Sequence, residues 1–224
     1  MAIRDNLEFI RKQISIACEE VGRSIDEITI VAVTKSVGTE KAIEVVESGV
    51  LDLGENRIES MLEKYSSLGA QAKWHFIGSL QSRKVKDIIN IVDYVHSLDR
   101  LSLAEEIQKR ARKKVQCFLE VKTSTEQSKQ GVERGDAIKF IQQLKPLDKI
   151  EVVGLMTMAP LTTDKVEIRR CFQSLCKLQK EIQNLRYDFA PCTELSMGMS
   201  NDYDIAIQEG ATFIRLGTVL VGTT

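Results

Sequence analysis

A single lysine, Lys35, closes the β-branched run Ile-Thr-Ile-Val-Ala-Val-Thr-Lys that begins at Ile28. A primary amine at the end of a buried strand must find a partner or lose its charge, because desolvation disfavours the ammonium form. In water only on the order of one lysine amine in a thousand is neutral at pH 7. Burial beside Val31, Ala32 and Val33 would raise that fraction. A neutral amine condenses with an aldehyde to give a Schiff base. A strand-end lysine can equally snorkel to solvent, so Lys35 needs chemically matched neighbours before it counts as a site.

Two other segments supply them. Leu195-Ser196-Met197-Gly198-Met199-Ser200 runs into a helix expected to begin at Asn201-Asp202. Ser200 and the backbone N–H groups after it would offer hydrogen-bond donors and a positive dipole end to an anion. Gly217-Thr218, after the last apolar run, adds a closely approachable backbone and a hydroxyl. Singly, these read as a helix cap and a turn glycine; together they suit a phosphate. An aldehyde-reactive lysine with a phosphate cradle describes pyridoxal 5′-phosphate. Arg215 sharpens this. A guanidinium does not give up its proton, so a pyridine nitrogen facing it stays unprotonated and the ring is a weak electron sink. The competing reading of Arg215 is a buried ion pair with Asp or Glu.

These residues must be positioned by regular elements. Short β-branched or apolar runs lie near Ile28–Thr34, Leu51–Leu53, Trp74–Ile77, Tyr94–Ser97, Val115–Val121, Glu151–Met156, Glu194–Met197 and Phe213–Leu216. Helical periodicity falls at Glu40–Ser48, Ser82–Asn90, Leu101–Lys113, Asp136–Leu144, Lys165–Asn184 and Tyr203–Glu209. An additional N-terminal helix, roughly Asn6 to Val21, carries Leu7, Ile10, Ile14 and Ala17 on one face. Strict strand–helix alternation implies a parallel sheet with right-handed crossovers, and eight units fit a single α/β domain, a TIM-type (β/α)8 barrel spanning 1–224. No G-x-G-x-x-G follows the first strand, which argues against an open doubly wound sheet. The polar residues then gather where barrels build active sites, at strand C-termini: Lys35, Gly54-Glu55-Asn56, Gly78-Ser79, Ser97, Lys122, Thr157, Ser196 to Ser200, and Arg215 to Thr218.

Composition removes several classes of function. A net charge of −1 gives no electrostatic footprint for nucleic acid or an anionic membrane. The basic run Lys109 to Lys114 precedes a strand and reads as a solvated helix terminus. No apolar stretch is long enough to span a bilayer, and the charged N-terminus is unlike a signal peptide. Five cysteines without a C-x-x-C pair, and only two histidines, argue for reduced thiols in a cytoplasmic protein and for no metal site. His75, flanked by Trp74 and Phe76, reads more readily as a hydrogen-bonded barrel histidine than as an acid or base. His96 reads likewise, and Met156, Met158, Met197 and Met199 read as packing residues. Glu55 and Asp202 have no partner carboxylate at a hydrolase spacing.

The segments Val-Ala-Val-Thr-Lys (31–35), Gly-Glu-Asn (54–56), Trp-His-Phe-Ile-Gly-Ser-Leu-Gln (74–81), Gly-Leu-Met-Thr-Met-Ala-Pro (154–160), Leu-Ser-Met-Gly-Met-Ser (195–200) and Ile-Arg-Leu-Gly-Thr (214–218) resemble the pyridoxal-phosphate homeostasis protein family. The resemblance runs from Ile28 to Gly222. It implies a barrel similar to the N-terminal domain of alanine racemase, a fold-type III pyridoxal-phosphate protein. It implies a cofactor carried as a Schiff base on Lys35, with phosphate contacts from Ser200, Gly217 and Thr218 and with Arg215 at the ring nitrogen. Asn56, His75, Ser196 and Met199 are expected to complete the cofactor shell, and no residue is assigned a catalytic role. The implied function is to hold pyridoxal phosphate and keep vitamin B6 and amino- and keto-acid pools in balance, with little or no turnover. A monomer making transient contacts with apo-enzymes is expected.

Three positions depart from the family pattern. Arg57 stands where an aromatic is usual, Arg83 where asparagine is usual, and Lys122 where asparagine is frequent. The phosphate cradle is unaffected, but the rim of the pocket differs. The sequence ends at Thr224, soon after the last strand, so no second domain is expected to supply the opposing base a racemase needs. The competing functions are a racemase or lyase using Lys35 as base, and a cofactor-free Schiff-base aldolase acting on a sugar phosphate.

Overall fold

Eight parallel strands close into a barrel in the computed structural model, which describes residues 3–124 and 130–222. They are β1 (Thr29–Val33), β2 (Asp52–Glu55), β3 (Lys73–Phe76), β4 (Tyr94–Leu98), β5 (Val115–Lys122), β7 (Ile150–Met156), β8 (Glu194–Ser196) and β9 (Phe213–Leu216). Each pairs with the next in that order, and β9 returns to β1 through Val31↔Arg215 and Ala32↔Leu216. A two-residue strand not anticipated from the sequence, β6 (Val132–Glu133), extends the end of β5. The eight strand positions expected from the sequence all fall on barrel strands. Their β-branched and aromatic side chains suit a pleated wall buried on both faces.

Strand alternation divides the core. Val31, Phe118, Val153, Met156 and Phe213 fill the barrel interior. Ala32, Leu53, Trp74, Val95, Leu119, Val152, Leu155, Ile214 and Leu216 point outward and merge with the helices into the larger core. One glycine is indispensable to closure. An ideal Cβ on Gly154 would lie 2.1 Å from the Glu194 carbonyl oxygen, and Gly154 follows the register shift between β5 and β7.

The helices follow the strands as expected, with different bounds. The N-terminal helix α1 (Ile3–Glu19) buries Leu7, Ile10, Ile14 and Ala17, starting earlier and stopping sooner than its apolar pattern suggests. It packs on α8 (Tyr203–Gln208) and α9 (Thr218–Val221), and the Asn6 side-chain amide donates to the Leu220 carbonyl at 2.9 Å. Then come α2 (Thr39–Glu47), α3 (Ile58–Leu68), α4 (Val85–Ile88) behind a 3₁₀ turn at Ser82–Lys84, α5 (Leu101–Arg110), α6 (Ala137–Gln143) and α7 (Lys165–Gln183). Helix α3 escaped the sequence reading because its buried stripe, Ile58, Met61, Lys64 and Leu68, contains a lysine. Helix α5 ends at Arg110, and the rest of the basic run, Arg112 to Lys114, is exposed. No helix among the described residues is long and apolar enough to cross a membrane.

Candidate functional site

Five neighbouring strands, β8, β9, β1, β2 and β3, carry the predicted residues, and Lys35, Asn56, Met199, Ser200, Gly217 and Thr218 follow their C-terminal ends. Val33 lies opposite Gly54 across β1 and β2, and a Cβ on Gly217 would sit 3.8 Å from Val33. The end of β9 is thus against the strand end that leads to Lys35. Gly78 must be glycine, because a Cβ there would come within 2.5 Å of the Asn56 carbonyl oxygen. That close approach packs the loops after β2 and β3 together at the mouth.

Lys35 departs from the expectation of burial. Strand β1 ends at Val33, the chain turns after Thr34, and the Lys35 side chain is exposed at the mouth. The buried lysine is a different one. Lys64 is 2 % exposed and donates to Glu55 Oε1 at 2.5 Å, to the Thr34 carbonyl at 2.7 Å and to Ser60 Oγ at 3.0 Å. Thr34 Oγ1 donates to the same Glu55 oxygen at 2.6 Å. This cluster lies behind the wall and fixes the residue next to Lys35.

Arg215 is buried inside the barrel. Its Nη1 donates to Ser196 Oγ at 2.7 Å and its Nη2 to the Thr157 carbonyl at 2.9 Å. Burial lowers its pKa to about 10, against the opposing pull of Asp202 and Glu120. No hydrogen bond joins Arg215 to either carboxylate among those described, which disfavours the ion-pair reading. Glu120, at the upper end of β5, was not anticipated as a site residue. Burial first, and then the Asp99 carboxylate, push its pKa up to about 7, with Arg215 acting the other way.

His75 was expected in the cofactor shell and also read as a hydrogen-bonded barrel histidine; the structure places it inside the barrel. It is wholly buried, with Nε2 2.9 Å from Asp52 Oδ1 and Nδ1 2.9 Å from His96 Nε2. Its ring stacks on Tyr94 at 4.5 Å. Both ring nitrogens are engaged within the barrel. Ser196 is likewise an interior residue: its Oγ lies 2.9 Å from His96 Nδ1 and accepts from Arg215. Burial lowers the pKa of His75, with Asp52 opposing, and drives that of His96 well below the usual range, aided by the charge of Arg215.

The phosphate loops are also rearranged relative to expectation. Ser200 does not cap a helix at Asn201; helix α8 begins at Tyr203 with Asp202 at its N-cap. Asp202 reaches backward to accept from the Met199 backbone N–H at 2.6 Å, folding the loop so that Ser200 sits partly exposed at its turn. Burial raises the pKa of Asp202 despite that hydrogen bond. Gly217 is the N-cap of α9, and its carbonyl accepts from Leu220 and Val221. The first-turn N–H groups of Thr218 and Val219 have no acceptor within such a helix. The Thr218 side chain and Met199 are exposed at the same end.

The remaining rim residues are accounted for. Arg57 and Arg83 are exposed, Arg83 donating to Gln81 Oε1 at 3.0 Å, and Lys122 pairs with Glu133 of β6 at 2.8 Å. Asn56 Oδ1 and Ser97 Oγ are buried without a hydrogen-bond partner. Unsatisfied buried polar atoms at strand ends are unusual and mark where a ligand can supply the missing contact. All five cysteines are free thiols.

The fold is a closed parallel barrel of the alanine-racemase type, with an amine, a buried guanidinium and first-turn helix N–H groups toward one mouth. The chain matches the family described as "Alanine racemase, N-terminal domain" over residues 2–224. It superimposes on alanine racemase of Clostridium difficile with a TM-score of 0.75 over 96% of this chain and 56% of that one, at 17% identity. A pyridoxal phosphate homeostasis protein of Aquifex aeolicus is 39% identical over 97% of this chain and 96% of its own length. PipY of Synechococcus elongatus, solved with pyridoxal phosphate bound, is 30% identical with a TM-score of 0.86, covering 98% of this chain and all of that one. The chain belongs to the pyridoxal phosphate homeostasis protein family.

Proposed function

We propose that the protein binds pyridoxal 5′-phosphate at the C-terminal mouth of the barrel, holds it covalently on Lys35 and releases it intact. The observation that carries this reading is the convergence of Lys35, Arg215 and the Gly217-Thr218 turn on adjoining strand ends. The donor set fits the group. The N–H groups at the start of α9 and the hydroxyls of Thr218 and Ser200 suit a phosphate dianion. The orphaned Asn56 Oδ1 suits a polar substituent of the ring, and Met199 an apolar ring face. Ser196 supports Arg215 from behind. Bound pyridoxal phosphate supplies an aldehyde that a lysine amine can trap and give back.

We read the protein as a carrier and buffer with little catalysis of its own. Arg215, held by Ser196 and Thr157, does not protonate a ring nitrogen. The two histidines have all four ring nitrogens committed to hydrogen bonds within the barrel. The exposed Lys35 leaves the mouth wet, which weakens electrostatic preorganisation. A racemase or lyase is the second reading, favoured by Glu120, a carboxyl that burial pushes up to about 7. As a buffer the protein would act as one domain and as a monomer, handing the cofactor to apo-enzymes through transient contact. Its free thiols suit the cytoplasm.

Purified protein given pyridoxal phosphate should show a visible absorption band that borohydride removes. Incubation with alanine should leave racemisation far below enzymatic rates of about 1–10³ s⁻¹. No band would overturn the binding reading; turnover at ordinary rates would promote the enzyme.

A further inference from the structure

A continuous hydrogen-bonded chain crosses the barrel interior from its N-terminal end to the mouth. It runs from Asp52 Oδ1 to His75 Nε2 (2.9 Å), His75 Nδ1 to His96 Nε2 (2.9 Å), His96 Nδ1 to Ser196 Oγ (2.9 Å) and Ser196 Oγ to Arg215 Nη1 (2.7 Å). Four strands contribute the inner members, and only Asp52, at the start of β2, reaches solvent appreciably.

The two ends of this chain fix its direction. A guanidinium can only donate and a carboxylate can only accept. With Arg215 donating to Ser196, the single hydroxyl proton is free to go to His96 Nδ1. His96 must then carry its proton on Nε2 and donate to His75 Nδ1. His75 carries its proton on Nε2 and donates to Asp52. Every polar atom in the chain has one partner of the right kind, and both imidazoles are neutral. The charged groups that act on the rings agree with that state. Asp52 and Asp93 favour a charged His75 and Lys73 opposes it, while Arg215 opposes charge on His96; burial outweighs the pull of the two aspartates at His75 and is the larger cause at His96. A proton added to either ring would leave two N–H groups facing each other or the Ser196 hydroxyl without an acceptor.

We propose that Asp52, His75, His96 and Ser196 are positioning residues that orient Arg215 for the ring nitrogen of the cofactor through one unidirectional relay. The proposal rests on the pyridoxal-phosphate reading for its ligand, but the relay itself exists in the ligand-free protein. Its far end lies across the barrel from the cofactor, so a substitution at Asp52 acts on binding without touching the ligand. Stacking of His75 on Tyr94 and of His96 on Phe118, at 4.5 and 4.3 Å, prevents either ring from rotating out of line.

The decisive experiment is ¹⁵N NMR of the histidine side chains in ligand-free protein near pH 7, which reports which nitrogen carries the proton. Both histidines should be neutral and protonated on Nε2. Asp52→Asn, whose amide oxygen still accepts, should keep that pattern. Asp52→Leu should release it, giving mixed tautomers at both rings. A histidine protonated on Nδ1 in the wild type, or a charged one, would overturn the relay. Ser196→Ala and Asp52→Leu should each weaken pyridoxal-phosphate binding about three- to tenfold. Neither should alter binding of the carbocyclic analogue in which the ring nitrogen is replaced by C–H. Equal losses for both ligands would show a merely structural role and overturn the positioning claim. If wild type binds neither ligand, the ligand reading fails, and with it the positioning of Arg215 for a ring, whereas the tautomer result still stands or falls alone.

Discussion

Lys64 Nζ lies 2.5 Å from Glu55 Oε1 and 2.7 Å from the carbonyl of Thr34, the residue immediately before Lys35. A buried ion pair thus anchors the strand end that presents the exposed amine. Both partners are almost wholly withdrawn from water, at 2 % and 0 % exposure. Breaking one side strands the other charge in a medium that cannot solvate it, whereas removing both is far milder.

Lys64→Met should therefore destabilise the fold by about 3–5 kcal/mol, read from urea unfolding. The double variant Lys64→Met with Glu55→Leu should recover most of that loss. A single variant as stable as wild type would mean that the pair is not buried in solution.

The phosphate contacts give a second prediction. Ser200→Ala or Thr218→Ala removes a charge-assisted hydrogen bond, so pyridoxal-phosphate affinity should fall by about 1.5–3 kcal/mol, roughly ten- to a hundredfold. Pyridoxal without the phosphate should be indifferent to either change when titrated in parallel.

Stability should depend on pH in two opposing ways. His75 and His96 have folded pKa values below their unfolded ones, so the unfolded chain binds more protons in acid. Their contribution is complete above the unfolded value of about 6.5 and is lost as pH falls below it. Glu120 is raised from 4.5 to about 7, so its contribution is full below its unfolded value and is lost as pH rises through 7. Glu120→Gln should abolish the alkaline limb and stabilise the protein at pH 8 by up to roughly 3 kcal/mol. Urea midpoints between pH 5 and 8 for both proteins check the sign.

The barrel was legible because each wall strand is a compact β-branched or aromatic run and each crossover helix carries its own period. Helix α3 was not, because Lys64 occupies its buried stripe. The cluster of Lys35, Arg215 and Gly217-Thr218 could be read from strand ends alone. Burial of Lys35 could not, since it depended on where β1 stops, and it stops two residues earlier. The Ser200 cap failed for a related reason: Asp202 competes for the same turn and supplies both the cap position and the bond to Met199. The relay was invisible because its members come from five strands and meet only through parallel register, as when His75 falls opposite Tyr94. The one signal available was a histidine in each of two adjacent strands, His75 and His96.

Arg215 offers a further prediction. Arg215→Glu would place a carboxylate where a ring nitrogen is expected, favouring its protonation and strengthening the electron sink. It also removes the donor to Ser196 and brings negative charge toward the phosphate, so affinity should fall. Chiral chromatography of alanine incubated with the loaded variant should still show no efficient racemisation. Rapid racemisation would mean that a second base is present.

The attachment site is the claim on which the rest depends. Protein saturated with pyridoxal phosphate, reduced with borohydride, digested and analysed by mass spectrometry should carry the adduct on the peptide containing Lys35. Lys35→Ala should abolish the fixed adduct while retaining part of the non-covalent binding. An adduct located mainly on Lys64, Lys84 or Lys122, or undiminished in Lys35→Ala, would contradict the account.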